Sequence, residues 1–145
     1  MKFSTNFSLA EFVKSDTAER EGIDNTPGAE IIHNLHRVAY TLEIIRLEFG
    51  APIKVSSGYR CEALNSAVGG SATSKHMQGL AADFRVQGFT PEEAFKRIRK
   101  IVGFETLIME FGRWVHLDLS DNLQNTALIA SKINGRTHYK KLLGA

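Results

Sequence analysis

The chain has 145 residues, 43% of them hydrophobic and 23% charged, which are the proportions of a soluble globular protein. That length fits a single domain over residues 1–145 and suffices to bury a core without staples. A formal charge of +2 is too small to indicate a nucleic-acid partner, one cysteine (Cys61) excludes an internal disulfide framework, and no apolar run reaches the roughly 18–20 residues of a membrane span.

Met1 to Val13 lacks the charged start, long apolar centre and small-residue cleavage site of a signal peptide, so synthesis in the cytoplasm is expected. Ser8 can cap a short helix beginning near Leu9, and the polar stretch Ser15 to Pro27 reads as a loop with one further helical turn. From Ala29 to Phe49, Ile31, Leu35, Val38, Leu42, Ile45 and Phe49 alternate steps of four and three, which draws one apolar stripe along a helix. Gly50 and Pro52 end it. His33 and His36 lie off that stripe with no carboxylate or third histidine beside them, and read as surface residues.

Ile53 to Val55 reads as a short strand, Ser56-Ser57-Gly58 as a turn, and Glu62 to Val68 as a short helix stopped by Gly69-Gly70. Cys61, beside Arg60, fits a small buried thiol. A strand is expected over Leu80 to Val86. Thr90, Pro91 and Glu93 then form a capping box with proline at the first helical position, for a helix reaching about Val102. Strands over Thr106 to Phe111 and Trp114 to Leu119 flank a turn at Gly112. Ala127 to Lys132 reads as a last strand, with Asn134-Gly135 as a hairpin signal into Thr137 to Tyr139. The basic cluster Arg136 to Lys141 reads as a solvated tail rather than a contact for an anionic polymer. This order of elements gives an α+β fold, with helices packed on a mainly antiparallel sheet.

The chemistry concentrates in Ser74 to Asp83, where His76 and Asp83 are separated by Gly79, Ala81 and Ala82. Histidine and aspartate are common zinc ligands, and a catalytic zinc takes three protein ligands plus an open position. In Trp114 to Leu119, Val115, Leu117 and Leu119 share an apolar face, leaving Trp114, His116 and Asp118 on the other. His116 therefore serves as the third ligand. His138 lies in the basic cluster without such context.

Cross-strand pairing then locates an acid. A turn over Gly112 to Trp114 sets Glu110 opposite His116 and aligns Phe111 with Val115, Met109 with Leu117, and Leu107 with Leu119. Glu110 and His116 would have β-carbons about 4.5–5.5 Å apart. Glu110 is thus a candidate general base, the alternative being a carboxylate that orients His116 through its other ring nitrogen. Asp118 is the weaker competitor, facing solvent or likewise holding a ligand.

Ser56-Ser57-Gly58-Tyr59-Arg60, Leu64-Asn65, Val68-Gly69-Gly70-Ser71, Ser74 through Asp83, and Glu110-Phe111-Gly112-Arg113-Trp114-Val115-His116 together resemble the peptidase M15 family. That family holds zinc D-Ala-D-Ala carboxypeptidases and dipeptidases, and phage L-alanyl-D-glutamate endopeptidases; the chain looks closest to its short phage and prophage branch. The resemblance covers at least Ile53 to Leu119 and implies a hedgehog/DD-peptidase-like fold. It also implies zinc held by His76, Asp83 and His116, with Arg60 as the cation that holds substrate near the scissile carbonyl. Ser74 either contacts the substrate backbone or caps its loop, and Trp114 either walls the cleft or packs. Some members carry an acid three residues before the last histidine, or a further histidine two before it; here those positions hold Arg113 and Trp114, so Glu110 rests on strand register alone.

The expected activity is hydrolysis of a peptide bond in the peptidoglycan stem peptide, as an endolysin or a D-Ala-D-Ala carboxypeptidase. The protein is expected to be a monomer with no nucleic-acid or membrane partner, reaching the wall through holin-type release or as a virion component. The rival from another class is a non-catalytic wall-binding or phage virion structural domain that keeps the fold.

Overall fold

A computed structural model describes residues 1–143. The elements run α1 (Leu9–Val13), α2 (Asp16–Glu21), α3 (Ala29–Phe49), β1 (Ile53–Ser57), α4 (Glu62–Ala67), a 3-10 turn (Lys75–Gln78), β2 (Ala81–Val86), α5 (Pro91–Ile98), β3 (Thr106–Glu110), β4 (Trp114–Asp118), β5 (Thr126–Ile133) and β6 (Arg136–Leu142). The six strands form one sheet in the order β1-β2-β4-β3-β5-β6. Every neighbouring pair is antiparallel except β3–β5, which is parallel because the chain leaves β4 and passes β3 before pairing again. The α+β architecture is the expected one, and among the described residues no helix is long and apolar enough to cross a membrane.

The alternation along each strand decides what each face of the sheet does. Ala82, Phe84 and Val86 of β2, Leu107 of β3, Val115 and Leu117 of β4, and Ala127 of β5 join one core. The stripe of α3 closes this core: Leu35, Val38, Leu42, Ile45 and Phe49 are buried, while Ile31 packs at its margin. Helix α5 adds Ala94, Phe95 and Ile98 and carries the full capping box expected at Thr90 and Glu93. Asp83, His116, Asp118 and Glu110 project from the opposite sheet face, where His116 and Asp118 are buried and Asp83 and Glu110 are partly exposed.

Helix α5 stops at Ile98, short of the expected Val102, and β1 runs on through Ser56 and Ser57, which read as turn. Two further details correct the sequence reading. The β3–β4 turn holds Phe111, Gly112 and Arg113, which pairs Glu110 with Trp114, and Ile108, not Glu110, with His116. The turn starts one residue early because Phe111 adopts a left-handed conformation (φ 57°) ahead of Gly112 (φ 67°), and Arg113 donates to the Glu110 carbonyl at 2.9 Å. A bulky residue rarely takes that conformation, so Phe111 carried no turn signal. Its amide bonds the Ala130 carbonyl at 3.0 Å on β5, a contact outside the hairpin. The register moves by two residues, so every side chain keeps its predicted face. The second correction concerns Arg136 to Lys141, which is not a tail: it forms edge strand β6, paired with β5 along its length.

Close packing positions the loop that carries His76. Gly79 has φ +70°, and a β-carbon there would lie 2.7 Å from Ile31 Cγ2 and 2.9 Å from the Ile31 carbonyl oxygen on α3. Both the conformation and the space thus require glycine. Gly79→Ala is expected to destabilise the protein by about 2 kcal/mol or more. Chemical denaturation checks this, and an unchanged midpoint would show that α3 can move aside.

Candidate functional site

The three expected ligands come together. One donor atom from each of His76, Asp83 and His116 lies within 4.8 Å of the other two. Asp83 and His116 are direct cross-strand partners on β2 and β4, so the sheet itself sets their separation. His76 enters from the 3-10 turn above, with Nε2 3.3 Å from Asp83 Oδ1, while His116 Nδ1 lies 2.9 Å from that same oxygen. The rings of the two histidines meet edge to face at 5.2 Å.

Each imidazole is fixed through its other nitrogen. His76 Nδ1 is 2.6 Å from the Gly58 carbonyl oxygen, so that nitrogen donates and Nε2 faces the cluster. His116 Nε2 is 2.7 Å from Asp118 Oδ2, leaving Nδ1 turned toward Asp83. Asp118 is buried, and its second oxygen accepts the Thr106 amide at 2.9 Å, which ties it to β3. Asp118 thus faces His116 rather than solvent. A donor set of two oriented imidazoles and a carboxylate, each imidazole backed by an acceptor, fits a divalent metal such as zinc. Asp118→Ala frees the His116 ring and should weaken metal affinity about 10–100-fold. Competition with a chromophoric chelator measures this; unchanged affinity would show that strand packing alone orients the ring.

Without an ion, the cluster is held together by its own charges. Burial raises the Asp83 carboxyl, but the His76 charge and hydrogen bonds from both histidines outweigh it and hold the group well below the usual carboxylate range. Burial lowers His116, yet hydrogen bonds to Asp118 and Asp83 prevail and push it up to about 10. At neutral pH the metal-free His116 is therefore an imidazolium clamped between two carboxylates. Its stabilising contribution is complete below its ordinary value of 6.5 and is lost as pH rises through about 10. Metal uptake must expel that proton. Near pH 7 about one proton should be released per ion, with affinity rising about tenfold per pH unit over this window. Calorimetry in buffers of different ionisation enthalpy tests it, and a buffer-independent enthalpy would show a neutral ring.

Arg60 stands beside the cluster. Its amide donates to the His76 carbonyl at 3.1 Å, and its Nη2 donates to Ser74 Oγ at 3.3 Å. Ser74 Oγ also accepts the His76 amide at 3.2 Å, so Ser74 caps the 3-10 turn and steers Arg60 at once. Arg60 Nε is buried without a hydrogen-bond partner. Burial lowers the Arg60 pKa and the Asp83 charge opposes that shift. The side chain lines a cleft of about 260 Å³ together with Lys14, Ser57, Tyr59 and Leu64. A larger cavity of about 990 Å³ lies elsewhere, beside Lys96, Phe104 and Leu142, with none of the site's residues in its walls.

Glu110 is half buried on the same sheet face, two residues diagonal to His116 across the ladder. Burial pushes its carboxyl above the ordinary value, the His116 charge opposes this, and the Asp83 charge adds to it. Trp114, directly opposite Glu110, packs edge to face on Phe111 at 5.9 Å, and its Nε1 is buried without a partner. His33 and His36 stay exposed on α3, and the His36 ring packs against Phe3 at 4.5 Å. Cys61 is partly buried at the start of α4.

Sequence reading missed Asn25. Its Nδ2 donates to the carbonyls of Val13 and Tyr59, both at 3.0 Å, and its Oδ1 accepts the Cys61 amide at 2.8 Å. It thereby grips the backbone on both sides of Arg60. In sequence Asn25 lies in a polar stretch near Pro27 and reads as a turn residue; nothing local marks its long-range bonds.

The peptidase M15 family profile matches residues 5–118, which includes all of these groups. The chain belongs to the peptidase M15 family. Comparison with curated proteins found no match. Membership indicates a peptidase, and the match ends at Asp118, so β5 and β6 lie beyond it.

Proposed function

We propose that this M15 protein is a zinc peptidase that hydrolyses a peptide bond in the stem peptide of bacterial peptidoglycan. The observation that carries the reading is the convergence of three oriented ligands, a half-buried acid and a restrained guanidinium on the sheet face opposite the core. Family membership supports the peptidase part, and the ligand chemistry supports zinc.

His76, Asp83 and His116 would hold the ion, which when bound supplies Lewis acidity to the scissile carbonyl and acidifies the attacking water. Glu110 accepts the proton of that water and delivers it to the leaving nitrogen. Its raised pKa suits this task, because a base matched more closely to neutral pH also becomes a competent acid in the second transfer. Arg60 presents fixed donors to the oxygen that gains charge, or to a substrate carboxylate beside it. Ser74 sets the direction of those donors. Trp114, packed on Phe111 directly opposite Glu110, would border the substrate beside that acid. The protein acts as a monomer on the cell wall, reached by holin-type release or as part of a virion.

Digestion of purified sacculi followed by mass spectrometry identifies the bond, as a new amino terminus at D-glutamate or as released D-alanine. Bound zinc with no released amine would leave only a wall-binding role. Glu110→Gln should keep the metal and lower kcat by about 10²–10⁴-fold. Near-normal turnover in that variant would remove Glu110 as the base.

A further inference from the structure

Strands β5 and β6 lie outside the family match, yet they continue the sheet that carries the cluster. Direct partners across a ladder point to the same side, so register shows which of their side chains share the site's face. One row runs Trp114, Glu110, Ala130, Tyr139. The next runs Asp83, His116, Ile108, Leu128, Lys141. At the usual strand spacing, Tyr139 is about 10 Å from Glu110 and Lys141 about 14 Å from His116, backbone to backbone.

Between Glu110 and Tyr139 stands only Ala130, which is 1% exposed on the site's face. Its methyl is therefore covered by its neighbours. Burial raises the Tyr139 hydroxyl and the Glu110 charge raises it further, which puts the phenol within electrostatic reach of that acid. Lys132, two residues along β5 from Ala130, sets its Nζ 5.5 Å over the Phe111 ring at the rim. Asp83 and Asp118 are committed to the imidazoles, whereas Lys132 and Lys141 enter no ion pair among the described residues. Arg136, His138 and Lys140 alternate onto the other face of β6. The site's face thus continues outward into two unpaired cations and a phenol that is still 58% exposed.

We propose that the β5–β6 hairpin is a substrate subsite that takes the carboxylate-bearing end of the peptide, with Lys132 and Lys141 as its counter-charges on either side of the Ala130–Tyr139 row and Tyr139 packing on the chain that leads out from Glu110. The inference rests on the peptidase reading of the cluster and adds the class of substrate group that the extension recognises. An extended peptide advances about 3.3–3.6 Å per residue, so the carboxylate lies about two to four residues from the bond that is cut. Contacts this far from the reacting atoms serve ground state and transition state alike, so they act on KM and leave kcat unchanged.

The test is calorimetric binding of a synthetic stem pentapeptide, with a free carboxyl terminus or with a carboxamide, at low salt. The zinc-loaded protein should bind the acid about fivefold more tightly than the amide, as two exposed ion pairs permit. The double variant Lys132→Ala/Lys141→Ala should bind both peptides equally, and Tyr139→Ala should weaken both. Lys140→Ala, on the opposite face, should behave as the unaltered protein does. Equal affinity for acid and amide in the unaltered protein, a preference that survives the double variant, or no measurable binding of either peptide each overturns the subsite. Hydrolysis of the same peptides separates the two readings. Preferential binding without cleavage keeps the subsite and removes the peptidase assignment, whereas cleavage of both with equal KM does the reverse.

Discussion

A single carboxylate oxygen, Asp83 Oδ1, faces both His76 and His116, and the rest of the site depends on how those two rings are held. Neither ring is free to turn, because each spends its far nitrogen on a different part of the fold. His116 is tied through Asp118 to β3, so the central strands orient it. His76 is tied to the Gly58 carbonyl, at the end of β1 where the ladder is broken by a bulge between Val55 and Ser57. That carbonyl is placed by the N-terminal helix. A β-carbon on Gly58 would come 2.5 Å from the Phe12 carbonyl oxygen, which also accepts the Tyr59 amide at 2.7 Å. The first helix, which bears none of the chemistry, is thus part of the histidine's support.

Arg60 depends on the same support. Phe12 holds the backbone before it, Asn25 grips Tyr59 and Cys61 on either side, and the His76 carbonyl receives its own amide. The guanidinium and the imidazole are therefore placed by one shared set of backbone bonds, and a shift in either reaches the other. Both sit on the sheet face opposite the core, so the packing of Leu35, Leu42, Phe84 and Leu117 supplies rigidity without competing for the site's space.

What was legible in the sequence follows from the range of each interaction. The α3 stripe, the Thr90–Glu93 box and the two faces of β4 are local patterns, and each was readable because period and capping depend on neighbours in the chain. That His116, Asp118 and Glu110 share one face was readable for the same reason, since strand alternation alone puts them there. Register was not, because it was set by Phe111 in a conformation its type disfavours, with its amide held by β5 nearly twenty residues on. Asn25 and Gly58 were opaque because their partners lie far along the chain. The basic run Arg136 to Lys141 looked like a tail because its side chains are exposed on both faces; only its backbone pairing reveals a strand.

The two-residue register change matters for the proposed chemistry. Directly opposite His116, Glu110 would have been drawn into a close ion pair with an imidazole that already has two carboxylate partners. Diagonal placement instead leaves Glu110 about 7–8 Å away along the face, room enough for a water or a scissile bond between acid and ligand. Ile108 takes the position directly opposite His116. The acid's raised pKa is consistent with this spacing: burial raises it, and the His116 charge, which it does not contact directly, offsets that only in part. The turn at Phe111 thus does more than close a hairpin. It sets the gap that the proposed base and metal would have to span.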